Sequence, residues 1–291
     1  MRFAYHPTMC PPEQYLPLTQ AAEELGFDTV TFPDSICYPR EASSKYPYND
    51  DGSREFLEDV PFLDALSLVP YLAAVTSRIR FTTSVYKLAV RQPVVVAKQL
   101  TSVAVLSNNR FGFGVGISPW YEDFEVAQIP WERRGKRMDE MMEILSGLMS
   151  GDYFEYQGEI FEIPAIKLCP VPSEPVPLLV GGHSEPALKR AARLGDGWIA
   201  AGGELDNQAR MIRRLQELRA EYGREDRSFE IHTMSAEAYT PDGIKRLQDI
   251  GVDEVMVAFR NAYAAEPDTK TVAEKIDEMK QYADQVIARF R

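Results

Sequence analysis

The feature of this sequence that most constrains its fold is the regular alternation of short apolar runs with longer stretches of helical period. Eight apolar runs have the length and composition of buried strands, and an amphipathic stretch follows each of them. The strand candidates are 3–6, 29–33, 80–86, 111–117, 178–181, 197–201, 229–235 and 254–259. The helix candidates are 12–25, 61–76, 93–107, 132–150, 185–194, 205–222, 241–250 and 271–289.

Strict alternation of strand and helix requires parallel strands that are covered by helices. Eight such units in 291 residues favour a closed (β/α) barrel of the TIM type over an open doubly wound sheet. An open sheet of about six or seven strands, with one strand miscounted, is the alternative. In the barrel interpretation residues 1–291 form a single domain.

Two segments interrupt the repeat, and long interruptions of a barrel are often functional. Residues 35–60 are polar and rich in turn formers. They follow the second strand, so we expect them to cover the barrel mouth as a lid or substrate loop. Residues 151–176 carry Gln157-Gly158 between two aromatic-rich arms, which predicts a small hairpin inserted before the fifth strand.

The charge balance argues against nucleic acid as the main partner. The chain has 32 basic and 44 acidic residues and a formal net charge of −12, whereas surfaces that bind nucleic acids or anionic membranes are basic. A small-molecule partner fits this composition better.

The cysteines and the apolar segments indicate a cytoplasmic protein. Cys10, Cys37 and Cys169 lie far apart and form no Cys-x-x-Cys pair, so the sequence predicts neither a disulfide framework nor a zinc site. The most apolar segment, 65–75, contains Pro70 and is too short to cross a bilayer. We expect no metal site and no membrane association.

The three histidines fall at or near strands of the predicted barrel. Active sites of such barrels lie at the carboxyl ends of the strands. His6 ends the first strand, His183 follows the fifth, and His232 lies in the seventh. For any one of them a hydrogen-bonded structural imidazole is the alternative to a chemical role.

Two neighbouring strands end in glycine pairs. Gly181-Gly182 precedes His183 and Ser184 at the start of a helix, and Gly202-Gly203 closes the next strand. Glycine lets the backbone approach a ligand closely, and the first N–H groups of a helix bind phosphate. The pairs therefore indicate a phosphate cradle; the alternative is a tight turn that needs positive φ.

A third glycine pattern lies in the fourth predicted strand. Gly112, Gly114 and Gly116 alternate in FGFGVG, so they share one face of the strand. Either a helix packs closely against that face or a planar ring lies on it. Trp120 and Tyr121 follow directly and are predicted to lie at the mouth.

Three motifs together identify a family. Residues 78–118 (RIRFTTSVYKLAVRQPVVVAKQLTSVAVLSNNRFGFGVGIS), 133–145 (RRGKRMDEMMEIL) and 177–198 (PLLVGGHSEPALKRAARLGDGW) resemble the luciferase-like monooxygenase superfamily of flavin- and deazaflavin-dependent oxidoreductases. Members of that superfamily are single β/α barrels, usually dimeric, that bind FMN or the deazaflavin coenzyme F420 at the barrel mouth. The resemblance therefore implies a homodimer.

The resemblance also implies a set of cofactor-binding residues. Main-chain amides around the glycine pairs would hold the cofactor phosphate, and Ser84-Val85 would form a cis peptide behind the ring. Asp34 matches the position that reaches the ring edge. The implied cofactor-binding residues are Asp34, Ser84, Val85, Gly181, Gly182, His183, Ser184, Ala201 and Gly202.

One departure from the family pattern concerns the substrate. Deazaflavin-dependent sugar-phosphate dehydrogenases of this superfamily carry a histidine where this chain has Ser35, and a glutamate near the position of Ile117. The resemblance therefore implies a reaction other than sugar-phosphate oxidation.

These features lead to one main functional hypothesis. We expect hydride transfer between F420 and a small, largely apolar substrate, with His6 as the proton donor and Asp34 beside the ring. Tyr86, Trp120 and Tyr121 would shape the substrate pocket. One alternative is an FMN-dependent monooxygenase that takes reduced flavin from a separate reductase and reacts with oxygen. The other is a barrel that binds flavin or deazaflavin without catalysis.

Overall fold

The computed structural model describes residues 1–46, 52–261 and 266–291. Within these ranges the chain forms eleven strands and nine α-helices. The strands are β1 (Arg2–Tyr5), β2 (Thr29–Phe32), β3 (Arg80–Thr83), β4 (Tyr86–Lys87), β5 (Phe111–Gly116), β6 (Phe154–Gln157), β7 (Glu162–Ile166), β8 (Leu178–Gly181), β9 (Gly197–Ala200), β10 (Glu230–Met234) and β11 (Glu254–Val257). The helices are α1 (Tyr15–Glu24), α2 (Ala65–Ala73), α3 (Pro93–Leu106), α4 (Tyr121–Val126), α5 (Arg134–Leu148), α6 (Glu185–Leu194), α7 (Leu205–Glu221), α8 (Pro241–Asp249) and α9 (Val272–Gln285).

Parallel strands close into a barrel. Neighbours follow the order β1, β2, β3, β5, β8, β9, β10 and β11, and β11 pairs with β1 to complete the ring. β4 continues the path of β3 and pairs with the last residues of β5. The predicted eight-stranded TIM-type barrel is confirmed, and the open-sheet alternative is wrong.

The strand sequences are almost continuously apolar because the strands are buried on both faces. Every residue of β2, β5, β9 and β11 is buried. The outer faces pack on the helices, and a small cluster fills the inside of the barrel. That inner cluster consists of Ala4, Leu179, Ile199 and Met256, with Val85 and Met234 packed against it.

The helices form the outer layer and begin with recognisable capping chemistry. α9 starts with a capping box in which Thr271 and Glu274 satisfy each other's backbone N–H groups. α3, α6 and α8 carry proline in their first turn, where a missing N–H costs nothing. Among the described helices none combines the length and the apolar character needed to cross a membrane.

Two elements differ from the sequence-based prediction. The third predicted strand, 80–86, is divided into β3 and β4, because the peptide bond between Ser84 and Val85 is cis and interrupts the extended backbone. The short helix α4 has only 6 residues, too few to display a helical repeat in the sequence.

The amino ends of the strands carry a buried ionic network. Arg2 donates to Glu230 (2.6 Å) and to Glu254 (3.0 Å). His232 lies 2.8 Å from Glu230 and 3.2 Å from Glu254, and Thr29 Oγ1 donates to Glu254 as well. His232 is therefore held at the end of the barrel opposite the mouth.

The two insertions contact different helices: Arg54 of segment 35–60 pairs with Glu122 of α4, and segment 151–176 is bound to α5. The described part of segment 35–60 contains a 3-10 helix, Glu55–Leu57; residues 47–51 of this predicted lid lie outside the described residues. In segment 151–176, β6 and β7 pair as an antiparallel hairpin. The turn of this hairpin is fixed to α5 because the buried Glu140 carboxylate accepts hydrogen bonds from the N–H groups of Glu159, Ile160 and Phe161.

Candidate functional site

The carboxyl ends of β3, β5 and β8 meet around the side chain of Val85, which lies between β3 and β4. A Cβ atom built on Gly116 would lie 2.6 Å from Cγ2 of Val85, and one built on Gly181 would lie 2.8 Å from its Cγ1. Both distances are below any real contact, so only glycine at these two positions leaves room for the valine. The glycines thus allow Val85 to close the top of the inner cluster and to form the floor of the mouth.

The alternating glycines of β5 have a related explanation. A Cβ on Gly114 would lie 1.8 Å from the carbonyl oxygen of Thr83, and Thr83 Oγ1 donates to the carbonyl of Gly114 at 2.7 Å. The neighbours of this face at Gly114 and Gly116 are therefore β3 and Val85. A helix packed on this face, one of the two sequence-based alternatives, is wrong.

The two glycine pairs form adjacent turns at the ends of β8 and β9. Gly182 has φ +119°, and Gly202 and Gly203 both have φ +107°, values that side chains rarely tolerate. The indole Nε1 of Trp198 donates to the carbonyl of Gly182 at 2.8 Å. Because these conformations favour glycine, both strand ends lack a side chain at these positions.

His183 connects these turns. The backbone N–H of Ala201 donates to its Nε2 at 3.1 Å, so this nitrogen carries no proton. Burial lowers the pKa of His183, which agrees with a neutral ring. His183 therefore positions the Ala201 backbone.

Ser184 occupies the N-cap of α6, but its hydroxyl makes no capping hydrogen bond. Ser184 and Ala201 are both exposed. A hydroxyl and glycine turns without obstructing side chains fit an anionic group at this edge of the mouth.

Asp34 is buried and fully bonded. Its Oδ2 accepts from the backbone N–H of Lys87 at 2.8 Å, and its Oδ1 accepts from Arg91 Nη2 at 2.8 Å. Burial raises the pKa of Asp34, and the Arg91 charge opposes that rise. The carboxylate thus fixes the backbone just after the cis peptide, since Lys87 is two residues beyond Val85.

His6 is buried at the end of β1. Its Nδ1 lies 2.9 Å from Thr31 Oγ1, and burial lowers the pKa of His6 to about 4. The imidazole is therefore neutral at pH 7 and has no excess proton to give up. Residues around His6 line a cavity of about 10 Å³, the space of a single water molecule.

The three aromatic residues predicted for the substrate pocket occupy different environments. Tyr86 is 2% exposed; its ring stacks under Arg91, with 3.8 Å between Cζ and the ring centroid. Tyr121 is 44% exposed and packs on Trp131 at the outer surface. Trp120 is 3% exposed and packs with Met9 and Phe56 beside the mouth.

Sequence reasoning missed the charged residues around Trp120. Lys87 Nζ lies 4.2 Å and Arg54 Cζ 4.0 Å from the centroid of the Trp120 ring. Lys87 pairs with Asp123 at 2.8 Å, and Arg54 pairs with Glu122 at 2.9 Å. Lys87 lies inside the motif 78–118 that identifies the family, whereas no pattern in the sequence marks Arg54.

Comparisons with known proteins agree with this architecture. An uncharacterized protein of Mycobacterium tuberculosis is 49% identical over 289 residues, which cover 99% of this chain and 100% of that protein. A protein of Nakamurella multipartita named F420-dependent glucose-6-phosphate dehydrogenase is 25% identical over 94% of this chain and 76% of its own length.

The fold is shared with solved structures as well. The crystal structure of monooxygenase RslO1 from Streptomyces bottropensis superposes with a TM-score of 0.79 and 17% identity, covering 100% of both chains. The family model described as luciferase-like monooxygenase matches residues 4–249. This chain therefore belongs to the luciferase-like monooxygenase family.

Proposed function

We propose that this protein is an oxidoreductase that transfers a hydride between F420 and a small, largely apolar organic substrate. The observation that carries the proposal is the common mouth in which Val85, at the cis peptide, contacts Gly181, next to the positive-φ turn of Gly182. A relative with F420 in its name favours the deazaflavin over FMN.

The proposal assigns the cofactor to two parts of the mouth. The turns at Gly182 and Gly202, together with the hydroxyl of Ser184, would hold the phosphate-bearing tail. Ser84 and Val85 would lie beneath the ring. Asp34 would act at the ring edge indirectly, because both of its carboxylate oxygens already hold Lys87 and Arg91.

When bound, the deazaflavin would supply the hydride-transfer chemistry, and the protein would orient the reactants and exclude water. Val85 fixes the height of the floor because the inner cluster supports it. His6 is neutral, so we propose that it directs a hydrogen bond from a ring N–H to a substrate oxygen. Proton transfer from an imidazolium is not part of the proposal.

Glucose 6-phosphate is not the proposed substrate. Ser35 and Ile117 occupy the positions where the sugar-phosphate dehydrogenases are expected to carry histidine and glutamate. Neither side chain can act as a base, and Ser35 is only half-buried. We expect no turnover of glucose 6-phosphate.

Titration with each cofactor tests the proposal directly. Purified protein is mixed with F420 and, separately, with FMN, and binding is followed by cofactor fluorescence. We expect F420 to bind more tightly, and reduced F420 to be oxidised in the presence of a substrate panel. Tighter binding of FMN, with oxygen consumption when a reductase is added, would establish the monooxygenase alternative. Binding without any turnover would establish the non-catalytic barrel.

The remaining predictions concern the oligomeric state, the cellular location and the supply of reduced cofactor. A cytoplasmic homodimer and a separate reductase for the cofactor stay predictions. Light scattering on the purified protein measures the oligomeric state, and addition of an F420 reductase measures whether turnover depends on one.

A further inference from the structure

Trp120 lies between charged groups that come from three different parts of the mouth. Arg54 belongs to segment 35–60, Lys87 ends β4, and Glu122 and Asp123 belong to α4. We call these five residues the Trp120 cluster. All of them are buried, with exposed fractions between 0% for Asp123 and 8% for Lys87.

Several hydrogen-bond donors of this cluster have no acceptor. In the described part of the chain, Nε and Nη2 of Arg54 and Nε1 of Trp120 are buried and make no hydrogen bond. Among the described residues, Glu122 is the hydrogen-bond acceptor of Arg54, through Nη1. Buried donors are almost always bonded in native proteins, so these three atoms indicate a position for an acceptor that the described residues do not supply.

The charges of the cluster decide which acceptor fits. Arg54 contacts Glu122 and Lys87 contacts Asp123, so each buried cation already has its own carboxylate. A ligand carboxylate would add a buried negative charge without a partner, which is unfavourable. A neutral carbonyl oxygen accepts two hydrogen bonds and adds no charge.

We propose that Arg54 and Trp120 bind a neutral carbonyl group of the substrate, such as that of a ketone, ester or amide. The inference rests on the proposed function only in taking the mouth as the substrate site. The apolar residues packed beside Trp120, Met9 and Phe56, would contact the hydrocarbon part of the same molecule. Arg54 and Trp120 are thus specificity-determining residues of a site for small carbonyl compounds.

Two probes with the same ring test this assignment. Cyclohexanecarboxamide is neutral and cyclohexanecarboxylate is an anion at pH 7.5, and ligand-observed NMR titration gives a Kd for each. We expect the amide to bind the wild-type protein about tenfold more tightly than the carboxylate, because the carboxylate would bury a negative charge for which no cation is left.

Two conservative variants identify the donors. Arg54→Lys keeps a cation near Glu122 but removes the planar donor fork, and Trp120→Phe keeps an aromatic ring but removes the N–H. We expect each to weaken amide binding about three- to tenfold and to leave carboxylate binding unchanged, so that the preference for the amide shrinks. Arg213→Lys, an exposed arginine on α7, is the matched control and should change neither Kd.

Three results would overturn the inference: no binding of the amide, equal binding of both probes to the wild type, or equal weakening of both probes in the variants. The last result would mean that Arg54 and Trp120 only maintain the fold. F420 titrations on the same samples keep the two proposals separate. If the wild-type protein does not bind F420, the proposed function is refuted. The proposed carbonyl-binding role of Arg54 and Trp120 is tested separately, by the preference for the amide over the carboxylate.

Discussion

The two ends of the barrel differ in what lies next to the buried polar atoms that make no hydrogen bond. At the amino end, Arg2, Glu230, His232 and Glu254 contact one another, and the two atoms without a hydrogen bond, His232 Nδ1 and Glu254 Oε1, lie 3.2 Å apart as an ion pair. At the mouth, Arg54 is also paired with a carboxylate, but its Nε and Nη2 and the Nε1 of Trp120 have no acceptor among the described residues. The comparison separates an end of the barrel whose polar groups stabilise the fold from the end to which we assign ligand binding.

The largest expected effect comes from breaking the network at the amino end. His232→Gln removes one of the two cations that contact the buried Glu254 and leaves only Arg2. Breaking a buried ion pair costs about 3–5 kcal/mol. Urea unfolding should show this loss, while the F420 affinity of the folded protein stays unchanged. Asp242→Asn, which removes an exposed ion pair with Lys245, is the control and should leave the unfolding midpoint in place. A loss of affinity in His232→Gln would contradict the separation of the two ends.

The pH dependence of stability should come from the same network. Burial disfavours the His232 cation, but Glu254 and Glu230 outweigh this effect and raise the pKa of His232 from 6.5 to about 9. Its contribution is complete below pH 6.5 and disappears as the pH rises through 9, a loss of up to about 3 kcal/mol. The contribution of Glu254, whose pKa is lowered from 4.5 to about 2 despite burial, is complete above pH 4.5 and disappears as the pH falls through 2.

Thermal unfolding between pH 6 and 10 measures this slope. His6 at the mouth should not contribute to this slope, because its low pKa keeps the ring neutral over the whole pH range. Glu230→Gln should flatten the slope by removing one of the two carboxylates. An unchanged slope in this variant would assign the titration to another group.

A smaller loss of stability is expected when single glycines at the two ends of the barrel are replaced by alanine. Gly202 and Gly251 have φ +107° and +95°, and a Cβ at either position would lie 3.8 Å from its nearest neighbour. Alanine at either position should therefore destabilise the protein by a similar amount, about 1–3 kcal/mol. Only Gly202→Ala should also weaken F420 binding, measured by fluorescence. Equal affinities in the two variants would remove Gly202 from the proposed cofactor site.

The smallest effect on stability is expected at Ser184. Because its hydroxyl makes no capping bond, Ser184→Ala should leave the unfolding midpoint unchanged. F420 affinity should fall about three- to tenfold if the hydroxyl meets the phosphate. Thr271→Ala, at the capping box of α9, should show the reverse pattern, with about 1 kcal/mol lower stability and unchanged affinity.

The sequence was sufficient to predict the barrel but not the distribution of charge at its mouth. Alternating strands and helices are local patterns, and the strand order follows from them once the barrel closes. His232 shows the limit of this reasoning: its position within a strand was evident, and Glu230 lies two residues earlier on the same strand. Its other partner, Glu254, belongs to β11, whose register with β10 only the fold determines. The Trp120 cluster is harder still to predict, because its members lie up to 69 positions apart in the sequence on a loop, a two-residue strand and a short helix that show no repeating pattern.

Val85 belongs simultaneously to the packing inside the barrel and to the surface on which a bound ring would rest. Adding or removing a methyl group at Ile199 or Met256 would therefore shift Val85 and change the height or tilt of that surface. We expect relatives that act on other substrates to differ at Trp120 or in segment 35–60, whereas a change of cofactor geometry would require the interior residues to change together. We therefore expect related proteins to differ mainly in the residues around the mouth and to share the residues inside the barrel.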